Sequence, residues 1–177
     1  MEKETGKGSP DKKGAAVRQE DKGQRERGES PRFILILNPG STSTKIALYQ
    51  EETQIFSDCI NHNPEELGAF AVVFDQLEYR LEIVNQVLKS HLVDRGCLSA
   101  VMGRGGMVYG LKTGGYLVDE RLFEALKGGE HTSEHASNLG GLMAYVLARP
   151  LGIPAFIYDA CLLYTSARHH LLSGIGF

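Results

Sequence analysis

The segment Asn38-Pro39-Gly40-Ser41-Thr42-Ser43-Thr44-Lys45 constrains the chain more than any other, because it joins two strand-like stretches through a tight turn. Before it, Phe33-Ile34-Leu35-Ile36-Leu37 is a continuous apolar run, the pattern of a strand buried on both faces. After it, Lys45-Ile46-Ala47-Leu48-Tyr49 alternates more loosely, as a half-exposed strand does. Asn, Pro and Gly favour turns for separate backbone reasons. The four hydroxyls of Ser41, Thr42, Ser43 and Thr44 are expected to converge with the turn amides on one small volume. Such a concave set of donors suits an anion, a phosphate above all. An ordinary Ser/Thr-rich hairpin turn is the plain alternative.

The common nucleotide loops are missing. There is neither a G-x-x-x-x-G-K-[ST] loop nor a G-x-G-x-x-G run opening a helix. A phosphate bound here would therefore be held by a strand-turn-strand device, similar to that of actin-, heat-shock- and sugar-kinase-type nucleotide-binding proteins.

Composition narrows the class. A length of 177 residues suits one domain with a real core, and 42% hydrophobic with 23% charged residues is ordinary for a globular protein. The net charge of −3 gives no sign of a nucleic-acid surface. Residues 1–32 hold nine of the 19 basic and seven of the 22 acidic residues, so the remaining body is mildly acidic. Any bound anion must then be met by local donors. This leader has almost nothing to bury and is expected to stay disordered. Cys59, Cys97 and Cys161 are widely spaced and odd in number, fitting no disulfide framework and no C-x-x-C motif. A reducing, cytoplasmic setting follows. No stretch reaches 18 apolar residues, so no membrane span is expected.

The body alternates strands and helices. Thr53–Cys59 reads as a third strand, and Pro64-Glu65-Glu66 as a helix start. The stripe Leu67, Phe70, Phe74, Leu77, Leu81, Val84, Leu88 steps by three and four, predicting one long amphipathic helix packed on a sheet. A coiled-coil seam would run further. Leu98–Met102 reads as a strand that runs into Gly103-Arg104-Gly105-Gly106. Glycines there let the backbone turn sharply, and the rigid guanidinium fork of Arg104 suits a carboxylate or phosphate. A solvated surface arginine is the alternative. Tyr116–Val118 reads as a short strand, Asp119 as a cap and Glu120–Lys127 as a helix. A further helix runs through Arg149, and Ile153–Asp159 is a last strand ending in an acid. Open α/β sheets place ligands at such strand ends.

One motif competes. His131-Thr132-Ser133-Glu134-His135 matches H-x-x-E-H, in which two histidines one helical turn apart would hold zinc and Glu134 would act as base. The preceding Gly128-Gly129 and the want of a convincing third ligand speak against it.

Four motifs in order support a family resemblance: residues 38–45, Gly103-Arg104-Gly105-Gly106, Glu134-His135-Ala136-Ser137-Asn138-Leu139-Gly140-Gly141, and Gly152-Ile153-Pro154-Ala155-Phe156-Ile157-Tyr158-Asp159. Over residues 33–160 the chain resembles the butyrate kinase branch of the acetate kinase family, in the actin-like ATPase superfamily. His-Ala-Ser-Asn-Leu-Gly-Gly favours that branch, since acetate kinases carry His-Asn-Pro at the corresponding stretch. The resemblance implies an α/β, ribonuclease-H-like/actin-like domain with a mixed five-stranded sheet flanked by helices. It implies reversible phosphoryl transfer from ATP, with Mg2+, to a short-chain carboxylate, giving an acyl phosphate. Asn38, Gly40, Ser41, Thr42, Ser43 and Lys45 would lie at the phosphates. Arg104 would clamp the carboxylate, and His135 would hydrogen-bond the moving phosphoryl group. Asp159, with Asn38, would serve the magnesium shell. The full-length enzyme would be a homo-oligomer in the cytoplasm, without nucleic-acid or membrane partners. Acetate, propionate or a branched acid is the nearest alternative substrate, and a non-catalytic actin-like interaction domain the alternative from another class.

The departures matter as well. The family's second domain supplies an adenosine-binding glycine loop, a second substrate arginine and a late acidic residue, and none has a counterpart here. From Cys161 to Phe177 the chain stops resembling the family, as a frame change or read-through would make it. The expectation is an N-terminal half that is inactive as written.

Overall fold

The computed structural model describes residues 32–112, 114–128 and 132–158. The expectations for the leader up to residue 31, for His131, for Asp159, for Cys161 and for the 161–177 tail lie outside the described residues.

Among the described residues six strands form one sheet: β1 (Phe33–Pro39), β2 (Ser43–Gln50), β3 (Thr53–Asn61), β4 (Leu98–Arg104), β5 (Gly115–Leu117) and β6 (Ala155–Tyr158). Their order is β3-β2-β1-β4-β6-β5. The first three are an antiparallel meander, and β4 and β6 add in parallel beside β1. This is the α/β, ribonuclease-H-like arrangement expected from the sequence, with one correction: the sheet has six strands rather than five. The strand beyond those five, β5, falls one residue ahead of the Tyr116–Val118 strand read from the sequence; it is three residues long and pairs antiparallel on β6, with Tyr116 opposite Ile157. The Tyr116 hydroxyl also accepts from the Lys112 amide and donates to its carbonyl, which closes the loop ahead of the strand. So short an edge segment draws its pairing from tertiary contacts, and its own sequence says little about sheet membership.

Burial alternates along the strands. Leu35 and Leu37 of β1, Ile46 and Leu48 of β2, Val101 of β4 and Ile157 of β6 are almost fully buried. Their neighbours Ile34, Ile36, Ala100, Met102 and Phe156 are half-buried. The apolar run of β1 is therefore not equally buried on both faces, contrary to the expectation, because among the described residues the helices that pack on the sheet pack on one face. Those helices are α2 (Leu77–Ser90), against β2, and α4 (Asn138–Ala148), against β1, β4 and β6. Helix α3 (Glu120–Lys127) packs on α4 and is capped as expected, with the Leu122 amide donating to Asp119 Oδ1 at 2.8 Å. Helix α4 ends at Ala148, and a 3-10 turn spans Arg149–Leu151.

The long helix expected from residue 64 onward is broken. Helix α1 covers only Pro64–Gly68, with Asn63 Oδ1 accepting from the Glu65 amide at 2.9 Å. A 3-10 turn, Val73–Gln76, then leads into α2. Gly68 is a poor helix residue, and Val72 and Val73 are β-branched, so the span between has little helical preference. The start of the 3-10 turn is instead held by carboxylates: Asp75 Oδ2 accepts from the Val72 amide at 3.4 Å, and Glu134 Oε1 from the Val73 amide at 2.6 Å. The buried face of α2 differs too. It comprises Leu77, Arg80, Val84, Val87 and Leu88, while Leu81 is only half-buried. An arginine thus occupies the inward position nearest the β1–β2 turn.

Candidate functional site

The β1–β2 hairpin closes where the Gly40 amide donates to the Ser43 carbonyl at 2.7 Å, with Pro39 opposite Thr44 and Asn38 opposite Lys45. Ser41, Thr42 and Lys45 are exposed, and Asn38, Gly40 and Ser43 are half-buried. Thr44 departs from the expected convergence of four hydroxyls. It is fully buried, and its Oγ1 lies 2.8 Å from His62 Nε2 and accepts from Arg80 Nη1 at 2.9 Å. Strand alternation explains this. Thr44 shares a face with Ile46 and Leu48, so its hydroxyl must be satisfied inside.

Arg80 is the residue that sequence reasoning missed. Its side chain is 0% exposed. Nη1 donates to the Ser43 carbonyl at 3.2 Å and Nη2 to the Ser41 carbonyl at 3.4 Å. Nε and Nη2 both donate to Gln76 Oε1, at 3.2 and 2.9 Å, one helical turn earlier. The remaining carbonyl of the turn, that of Thr42, accepts from the His62 amide at 2.9 Å. Burial lowers the Arg80 pKa from its usual value, yet a guanidinium starts so far above neutrality that it stays charged. His62 is 5% exposed; burial first, and then the charge of Arg80, holds its pKa below 6.5. The sequence did carry a signal, because Gln76, Arg80 and Val84 repeat at four-residue steps on the face that turns inward.

A second cluster forms where α4 meets the end of β4. A methyl group on Gly103 would run into the Gly140 backbone, one on Gly140 would lie 2.7 Å from the Arg104 carbonyl oxygen, and one on Gly105 would lie 2.6 Å from Ser137 Cβ. These glycines act in steric pairs: they let the helix start press onto the strand end. Asn138, 4% exposed, then ties three segments together, accepting from the Met107 amide at 2.7 Å and donating to the Ser133 carbonyl at 2.9 Å. His135 and Arg104 are exposed beside this seam. The Ser137 amide donates to His135 Nδ1 at 3.1 Å, and Ser137 Oγ lies 2.7 Å from the same nitrogen. Nδ1 is therefore an acceptor, and a neutral His135 carries its proton on Nε2.

The sheet brings the two clusters to one edge. Leu37 pairs with Gly103, and Gly103 with Ile157, so Asn38, Arg104 and Tyr158 follow on the next rung at the C-terminal ends of the parallel strands. Asp159 is the next residue in the chain, outside the described residues. A separate cavity of about 280 Å³, lined by Asn85, Leu88, Lys89, Val93, Asp94 and Arg95, lies toward the other end of α2. Within H-x-x-E-H, the Glu134 carboxylate is occupied by the Val73 amide, and among the described residues no group of three or more metal-binding side chains forms. No helix of the described residues is long and apolar enough to cross a membrane.

No protein-family model matches the chain. Among solved structures, the chain is similar to acetate kinase from Entamoeba histolytica at 13% identity and a TM-score of 0.43, over 72% of this chain and 34% of that one. An exopolyphosphatase from Cytophaga hutchinsonii matches at 10% identity and a TM-score of 0.44, over 73% and 54%. A propionate kinase from Francisella tularensis matches at 16% identity and a TM-score of 0.38, over 73% and 36%. The chain therefore spans about a third of the length of the two carboxylate kinases.

Proposed function

We propose that residues 33–160 form the acyl-substrate half of an ATP-dependent carboxylate kinase, with butyrate as the preferred acid. The observation that carries this reading is the shared rung: a hydroxyl-rich turn following Asn38, and Arg104 with the His135 loop pressed beside it, meet at the carboxyl ends of parallel strands. Ligands of open α/β sheets bind at that edge. The four ordered sequence motifs support the same assignment.

Phosphoryl transfer depends chiefly on positioning and on spreading charge, with little covalent work left to the protein. In this reading the hydroxyls of Ser41, Thr42 and Ser43 donate to the phosphoryl oxygens, Gly40 closes the turn behind them through its amide, and Lys45 adds charge at the mouth. Arg104 grips the carboxylate with two parallel donors, which fixes the attacking oxygen in line. His135, oriented by Ser137, offers Nε2–H to an oxygen of the group in flight. Magnesium fits the available donors, since the Asn38 amide supplies a hard oxygen at the strand end and Asp159 would supply a second. When bound, it neutralises charge on the ATP phosphates. The adenosine site is assigned to a second domain.

The test is a hydroxamate assay for acyl phosphate with butyrate, propionate and acetate, run on the 177-residue chain and on a version extended by a family-like second domain. Magnesium-dependent product is expected from the extended version, strongest with butyrate. No product from it would sink the kinase reading, and equal turnover by the short chain would show that the second domain is dispensable.

A further inference from the structure

The guanidinium under the β1–β2 turn asks for an explanation that packing does not supply. Burying a charge is expensive unless it is paired. Yet the acceptors that Arg80 meets among the described residues are all neutral: Gln76 Oε1, Thr44 Oγ1 and the carbonyls of Ser41 and Ser43. A carboxylate relay beside it runs sideways, from Tyr79 to Glu66 Oε2 at 2.8 Å, and does not reach the guanidinium by a hydrogen bond. An apolar side chain would fill the position on α2 at lower cost, as Val84 and Leu88 do one and two turns later.

The geometry of the turn shows what the charge accomplishes. A carbonyl oxygen facing an approaching anion repels it. Here all three carbonyls of the turn are tied down: that of Ser41 by Arg80, that of Thr42 by the His62 amide, and that of Ser43 by Arg80 together with the Gly40 amide. What the turn presents outward is then the hydroxyls of Ser41 and Thr42, both exposed. Directly beneath sits one positive charge that no carboxylate among the described residues hydrogen-bonds, in a buried environment where its field is screened least.

We propose that Arg80 is the positioning residue of a phosphoryl-binding turn: it fixes the carbonyls of Ser41 and Ser43 inward and supplies, from below, the positive charge that an anion over the turn completes. This rests on the phosphate role proposed for the turn. Arg80 itself does not touch the ligand. Gln76 aims the guanidinium by holding Nε and Nη2, and Thr44 takes Nη1, so both act through it.

Titration of the labelled 177-residue chain with inorganic phosphate, followed by amide and arginine side-chain resonances, tests this. In the parent, the Gly40 to Ser43 amides and the Arg80 Nε–H are expected to shift along one saturating curve. Arg80→Met, which keeps the volume and removes the charge, should weaken phosphate at least about tenfold, the worth of one unit charge acting across several ångströms of protein. Arg80→Lys should recover part of the loss, because charge returns without the fork. Parent amides that respond while Arg80→Met binds phosphate as well as the parent would overturn the Arg80 proposal alone. Parent turn amides that do not respond at all would sink the phosphate reading together with it. If Arg80→Met fails to fold, the parent still decides: turn amides that shift while Arg80 Nε–H stays still would overturn the proposal.

Discussion

The two halves of the candidate site are built on opposite physical principles. The β1–β2 turn is held by a buried polar network, in which one guanidinium, one imidazole and one amide satisfy the turn from inside. The β4–α4 seam closes through missing side chains, with Gly103 and Gly140 letting backbone meet backbone and Gly105 clearing Ser137, while Asn138 ties it to the neighbouring loops. A polar network is tunable, since its members can be exchanged for others of similar reach and charge. A steric seam has no such latitude. It accepts glycine or it opens.

The sharpest way to break this contrast is at the seam. Gly140→Ala places a methyl group 2.7 Å from the Arg104 carbonyl oxygen, a backbone atom that cannot swing aside. We expect a loss of about 3 kcal/mol in urea unfolding, the upper range for overpacking, and a displaced Arg104 with it. Unchanged stability would show that α4 can slide and that the seam is not rigid.

Next comes Arg104 itself, in the version extended by a second domain. Arg104→Ala should lower kcat/KM by about a hundredfold or more, comparable to losing a preorganised donor. Arg104→Lys should recover little, because lysine lacks the planar fork. Activity within a few-fold of the parent in the alanine variant would remove Arg104 from the clamp.

On the turn side the expected effect is smaller and pH-dependent. His62 has a folded pKa below 6.5, through burial and the neighbouring Arg80, with Glu66 opposing weakly. The native state therefore keeps His62 neutral while the unfolded chain takes up a proton below that value. Stability contributed this way is intact above 6.5 and is lost as pH falls below it. Comparing urea midpoints at about pH 7.5 and about pH 5 should show a drop in the parent that His62→Gln reduces. Equal slopes in both proteins would mean that the imidazole is not the sensor. No such slope is expected from the glycine seam, whose contacts are steric.

The smallest effect lies outside both regions. Leu92 follows His91, the C-cap of α2, with φ of 56° and 86% of its surface exposed. A left-handed residue at that position favours glycine, so Leu92→Gly should stabilise by about 0.5–1 kcal/mol, net of glycine's greater entropy loss. A lowered thermal midpoint would point to a role for Leu92 in covering its surroundings.

Much of this was legible in residues alone. Asp119 ahead of Glu120 announced the cap of α3, and the turn residues at 38–43 announced the first hairpin with its strands. Leu77, Val84 and Leu88 marked the buried face of α2, though not its start, because Gly68 and the valines at 72 and 73 broke the stripe. Thr44 was misjudged for a simple reason. Its hydroxyl looks the same in sequence as its neighbours', and only strand register turns it inward.

By itself, then, the sequence determined most of the strand and helix segments, though not the break between α1 and α2, together with where the chain turns and which residue types could meet an anion. Local propensity and periodicity suffice for that, because each depends on neighbours within a few positions. Only the tertiary structure decided that Arg80 lies beneath the turn, 39 residues from Ser41, and that Gly103 meets Gly140. Those pairings follow from parallel strand register and helix packing, which bring distant residues together at a cost in chain entropy that no local pattern records.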